Sequence, residues 1–215
     1  MLTFNKLIST SFITIALSLG TSAASASIIG IPDLPENLLI NGSFEDPIIE
    51  AGTWQHFTSS EVPGWDGSNI EIWNDYNGVT AAEGSQFAEL NAHPNTNTVF
   101  GIFQSFVTTA GNWYDISFAY RARSNDNEAF NVSVAGLDTT LSDHTTQEWS
   151  LFSGSFLATS DSTTLAFTTV SPATGTYGNF IDNVRVNAVA SVPEPATLAL
   201  MGLGLLSLGA TRRKN

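Results

Sequence analysis

The chain has 215 residues, with 7 Lys or Arg against 20 Asp or Glu, a formal net charge of −13 and no cysteine. The missing thiols exclude disulfides, a thiolate nucleophile and thiolate metal sites. The acidity argues against nucleic acid and anionic membrane surfaces as partners.

In chain order, Lys6 precedes a mostly apolar stretch at 7–19, and Ala24-Ser25-Ala26 supplies a small-x-small cleavage site. Residues 1–26 are therefore expected to be a secretory signal peptide. Residues 27–190 form one domain, long enough to bury a core, and 191–215 are set apart as a tail. Lys6, Arg212, Arg213 and Lys214 lie in the two end segments, so the domain holds only three basic side chains, Arg121, Arg123 and Arg185, against a large excess of carboxylates.

Within the domain, Ser, Thr, Asn, Gly, Val and Phe dominate, and turn clusters recur at short intervals with no sustained 3.6-residue apolar period. That pattern predicts an all-β, two-sheet antiparallel β-sandwich. Strands are expected at 38–44, 69–73, 86–90, 101–107, 114–121, 130–135, 149–156, 163–169 and 180–186. In the fifth of these, alternation places Tyr114, Ile116, Phe118 and Tyr120 on the core face and Asp115, Ser117, Ala119 and Arg121 on the other. Trp65, after Pro-Gly, and Trp149, entering a strand, read as core anchors. Trp54, Trp113 and Tyr177 sit in or beside loops, where packing competes with ligand stacking. Trp73 and Tyr76 flank Asn74-Asp75 and are the better stacking platforms, because sugar rings present apolar C–H faces to aromatic side chains.

Arg121 and Arg123 are two residues apart, so they project from one sheet face. An Arg fork can bind hydroxyls or a carboxylate bidentately. Glu89, Asn91 and Gln104 are candidates to share that face and complete a ligand site. The competing account is a surface Arg–Glu pair of up to ~1 kcal/mol. His56, His93 and His144 are scattered, with no zinc spacing, nucleophile elbow or phosphate loop, so no catalytic residue is assigned and the chain is read as a non-enzyme.

Five phrases, NLLINGSFEDP at 37–47, VPGW at 62–65, EGSQFAELN at 83–91, IFQSFVTTAGNWYDISFAYRAR at 102–123 and NFIDNVRV at 179–186, follow one another as in galactose-binding-like jelly rolls, a superfamily that includes carbohydrate-binding modules. The chain resembles that superfamily over most of 37–186. The resemblance implies a jelly-roll sandwich, polysaccharide binding without catalysis, and a structural calcium bridging the first and last strands through Glu45 and Asp182. The alternative is that Glu45 caps a turn and Asp182 satisfies backbone donors.

The tail reads Val192-Pro193-Glu194-Pro195, an apolar run at 196–210, then Arg212, Arg213 and Lys214. That run falls short of the ~20 residues of a stable span. The tail resembles the PEP-CTERM sorting signal of Gram-negative bacteria. The resemblance implies export across the inner membrane, recognition by an exosortase, removal of the hydrophobic sorting helix, and delivery to the cell surface or extracellular matrix. Membrane contact is then expected only through the tail before processing. The functional expectation is an exported, surface-sorted protein that binds extracellular polysaccharide; a structural or adhesive matrix component with no defined sugar site is the alternative.

Overall fold

The computed structural model describes residues 36–94 and 97–189. The signal-peptide and tail expectations lie outside these residues. Eleven strands follow one another: β1 (Thr53–Phe57), β2 (Asp66–Gly67), β3 (Ile70–Asn74), β4 (Gln86–Glu89), β5 (Gly101–Val107), β6 (Trp113–Arg121), β7 (Ala129–Val134), β8 (Leu137–Leu141), β9 (Ser150–Leu157), β10 (Ser162–Ser171) and β11 (Phe180–Ala188). They form a six-stranded sheet in the order β1-β3-β4-β11-β6-β9 and a five-stranded sheet in the order β2-β5-β10-β7-β8. Every pairing among them is antiparallel. The expected all-β sandwich is therefore the observed one.

Alternation builds the core between the sheets. Tyr114, Ile116, Phe118 and Tyr120 all point inward from β6, as their spacing predicts, and meet Ile102, Phe106, Phe130, Val132, Leu165 and Phe167 from the opposite sheet. Trp65 packs in this core against Phe44 and Phe167. Each such side chain contributes roughly 1.5–3 kcal/mol of burial.

The expected strand at 38–44 is not one. Asn41 and Phe44 adopt left-handed backbone, with φ of 53° and 55°, which breaks the extended run. The segment instead docks beside β11: Leu38 N donates to Val186 O at 2.8 Å, and Val184 N donates to Gly42 O at 2.9 Å. It takes the place along β11 that β4 leaves after Ile181. A bulge between Asp182 and Arg185 marks the changeover, with Asn183 at φ 48°.

The six-stranded sheet is buried on both faces over part of its area: every residue of β3 and β4 is buried. Its outer face carries a second apolar cluster of Trp73, Phe87 and Phe180, with Trp54, Val79, Ala81 and Trp149 packed around it. Trp149 therefore anchors a loop onto this outer layer, donating from Nε1 to Thr80 O at 2.9 Å, and not the central core that the sequence suggests for it.

The two ends of the described chain run side by side: Asn187 Nδ2 donates to Glu36 O at 2.9 Å, and Val189 N to Trp113 O at 3.1 Å. That is the end of the sandwich where β6 begins. The outer layer lies toward the other end, where β6 finishes and β11 starts.

Candidate ligand-binding site

Register assembles the site on the outer face of the six-stranded sheet. Across the strands, His56 faces Glu71, Glu71 faces Glu89, Glu89 faces Phe180 and Phe180 faces Arg121. The adjoining row runs from Trp54 to Trp73 to Phe87. Two rows of one face thus place acids beside aromatics, although the residues are far apart in sequence.

Glu71 and Glu89 are 0% and 1% exposed, and buried carboxylates need partners. Arg123 is the main one: its Nη1 donates to Oε1 and Oε2 of Glu89, both at 2.6 Å, and to Thr176 O at 2.8 Å. Gly178 N adds a bond to Glu89 Oε1 at 2.8 Å. Glu71 Oε1 accepts from Trp73 Nε1 at 3.0 Å, and its Oε2 lies 2.9 Å from His93 Nδ1. Arg123 Nη1 is 3.9 Å from Glu71. Burial pushes the Glu89 carboxyl well above the ordinary carboxylate range, against the opposing pull of Arg123. One guanidinium therefore serves a site that holds two acids.

The guanidinium also lies between two rings, 4.0 Å from the Tyr177 centroid and 4.7 Å from that of Trp73. Both contacts are within cation–π range. Its backbone is fixed as well, because Glu128, 1% exposed, accepts the amides of Arg123 at 2.6 Å, Ser124 at 2.7 Å and Asn125 at 3.2 Å. Above this platform opens a cavity of about 430 Å³ whose walls include Trp54, Tyr76, His93, Arg123 and Tyr177. Trp54 stacks on His93 with centroids 5.1 Å apart, and Tyr76 meets Trp73 edge-on at 5.1 Å.

Of the residues expected to form a site, Arg123, Glu89, Trp73 and Tyr76 are brought together. Arg121 shares their face but donates from Nη2 to Thr146 O, and it does not line the cavity. Asn91 is buried behind it, with Nδ2 donating to Pro172 O at 3.1 Å. Gln104 belongs to β5 in the other sheet, where it points inward and makes a two-bond clamp on Ile40, at 2.6 and 3.0 Å. Glu71, His93, Trp54, Tyr177 and Glu128 were not among the residues selected from sequence. For Glu71 a signal existed, since its spacing from Trp73 puts both on one face of a strand.

Gly178 makes the closest packing in the site: a Cβ there would stand 1.8 Å from Asn91 Oδ1. Gly178→Ala is expected to displace the Glu89 and Tyr177 contacts and cost about 1–3 kcal/mol. A thermal melt would measure the loss, and an unchanged melting temperature would contradict it.

Glu45 Oε1 accepts the amides of Ser85 and Gln86 at 2.7 and 2.8 Å. Asp182 Oδ2 accepts those of Ala82 and Glu83 at 2.7 and 2.9 Å, and its Oδ1 that of Asn183 at 2.6 Å. Both carboxylates accept backbone N–H groups of the loop at 82–86. Among the described residues no group of three or more acid or histidine side chains gathers as metal ligands do. Backbone donors thus serve Glu45 Oε1 and both oxygens of Asp182, as the turn-capping alternative holds. Chelation is expected to leave the melting temperature unchanged; a fall of several degrees that vanishes in Asp182→Ala would support the calcium bridge instead.

Residues 37–187 match the family model described as "Protein of unknown function (DUF642)". The chain belongs to the DUF642 family. Residues 191–214 match the PEP-CTERM protein-sorting motif, a signature of export to the surface or beyond it. The DUF642 chain is 28% identical over 160 residues to halomucin of Haloquadratum walsbyi (strain DSM 16790 / HBSQ001), a match over 70% of this chain that spans 2% of halomucin. Among solved structures it is similar to TmCBM61 in complex with β-1,4-galactotriose, at 16% identity and TM-score 0.46, covering 72% of this chain and 99% of that one. It is similar also to the CBM22-1 xylan-binding domain of Paenibacillus barcinonensis Xyn10C, at 17% identity and TM-score 0.42, over 74% and 97% of the two chains.

Proposed function

We propose that this DUF642 domain is a non-catalytic module that binds extracellular polysaccharide in the cavity above Arg123. The observation that carries this reading is the pairing of open aromatic faces with a rigidly held polar floor. Tyr177 is 58% exposed and Tyr76 37%, so both rings are open to a ligand. A sugar ring stacks on such faces while a few fixed polar groups orient its hydroxyls. Arg123 provides the fixed group: Nη1 is committed to Glu89 and Thr176, and the side chain lines the cavity.

The same geometry favours binding over turnover. Glycoside hydrolysis needs two carboxyl groups that flank the bond to be cut, whereas Glu71 and Glu89 lie beneath the guanidinium and do not line the cavity. The PEP-CTERM tail fits a protein delivered to the surface or extracellular matrix of a Gram-negative bacterium after exosortase processing at the 192–195 motif.

A glycan array with the purified domain tests this reading. Tyr177→Ala and Tyr76→Ala are each expected to weaken binding about tenfold, in keeping with the ~0.5–1.5 kcal/mol of one aromatic contact, and to leave the melting temperature nearly unchanged. Absence of binding to any glycan would overturn the module reading and favour an adhesive matrix role.

A further inference from the structure

The charge of the cavity selects the kind of sugar. We infer that this site takes uncharged polysaccharide and rejects uronate-rich chains, an inference that rests on the sugar-binding reading of the same cavity. An arginine in an aromatic pocket ordinarily invites a carboxylate, but here the guanidinium already serves two buried acids. Arg123 contacts Glu89 through both carboxylate oxygens and stands 3.9 Å from Glu71. With His93 uncharged, the group sums to minus one if both acids are ionised and to zero if one holds a proton. Neither state offers the net positive charge that would offset the desolvation of an incoming carboxylate.

The surroundings push the same way. Asp75, exposed, lies between Trp73 and the cavity residues Tyr76 and Asn77, and exposed Asp126 follows the cavity residue Ser124 closely in the chain. Arg121, the nearest other cation in sequence, is turned to Thr146. Asp75 and Asp126 thus add two negative charges beside cavity residues in the chain, which would lower both the arrival rate and the occupancy of a polyuronate. A neutral pyranose keeps the ring stacking and can accept from Arg123 without bringing charge.

The test uses the soluble domain at pH 8, where histidines are uncharged, and pairs of polymers that differ only in charge: polygalacturonate and other polyuronates, each beside its carboxyl-reduced form, together with neutral galactan and xylan. Affinity electrophoresis is expected to show retardation by neutral members and at least tenfold weaker retardation by every uronate. Asp75→Asn should narrow that gap at low ionic strength while the melting temperature stays constant, since an Asn accepts the left-handed backbone of this position, φ 46°. Where Glu89 is ionised, Glu89→Gln makes the group one unit more positive and should narrow it further. A polyuronate bound more tightly than its carboxyl-reduced partner would overturn the charge inference and leave sugar binding standing. Retardation by no polymer would remove sugar binding itself, and the charge inference with it.

Discussion

Arg123→Ala is expected to cost about 3–5 kcal/mol of folding stability, because it takes the guanidinium away from two buried acids, Glu89 and Glu71. For a domain of this size that is a fall of roughly 10 °C in melting temperature. Three losses coincide: the ion pair, the bond to Thr176 and the filling between Trp73 and Tyr177. Glycan binding should vanish with them. Two further variants separate the causes. Arg123→Lys keeps the charge but loses the planar fork and the stacking, so it should fall between the wild type and Arg123→Ala. Glu89→Gln placed on Arg123→Ala removes one of the two acids and should recover part of the loss, a coupling that a double-mutant cycle reads directly. A cost below about 1 kcal/mol for Arg123→Ala would mean that the pair behaves as an exposed one, contrary to its burial.

The second large effect is a dependence of stability on pH. Burial pushes Asp182 up to about 7, against the opposing pull of the Glu83, Asn183 and Ala82 amides, while in the unfolded chain it titrates near 3.8. Between these values the folded protein holds a proton that the unfolded chain has released. Stability therefore falls as pH rises from about 4 to 7 and levels off above, by up to about 4 kcal/mol at ~1.4 kcal/mol per unit. Glu89, also raised, acts in the same direction. Denaturant unfolding at pH 5 should give a higher midpoint than at pH 8. Asp182→Asn should flatten the slope, even though its single oxygen leaves one amide unserved. A midpoint that rises with pH over this range would show that the three amides, and not burial, govern Asp182.

What the sequence made legible follows from what periodicity can carry. The β6 alternation identified its core face residue by residue, since hydrophobic and polar positions there match inside and outside. The same logic put Arg121 and Arg123 on one sheet face, whereas Trp73 was legible from its place beside Asn74-Asp75. It failed for Gln104, because an inward polar residue on a strand does not say which sheet owns the strand. It failed also for the segment at 38–44, where apolar alternation coexists with two left-handed residues that no period reveals. Glu71 and His93 stayed hidden for another reason: their chemistry arises from cross-strand neighbours set by register, and His93 sits in a loop with no motif around it. Asp182 was visible as a residue with a structural task, but two of its three amide partners, Ala82 and Glu83, belong to a loop that comes about a hundred residues earlier in the chain.

The adjacency of Glu36 and Asn187 has a practical meaning for display. Both ends of the described residues lie beside the start of β6, about 30 Å along that strand from the aromatic cavity at a rise of ~3.3 Å per residue. A carrier joined directly at Glu36 or Val189 would stand at the end of the sandwich away from the cavity. Copies linked in series would share one mounting side and present their cavities in a row. Weak single contacts could then add up to tight holding on a long polymer, because each further site is filled at the effective concentration set by the linker.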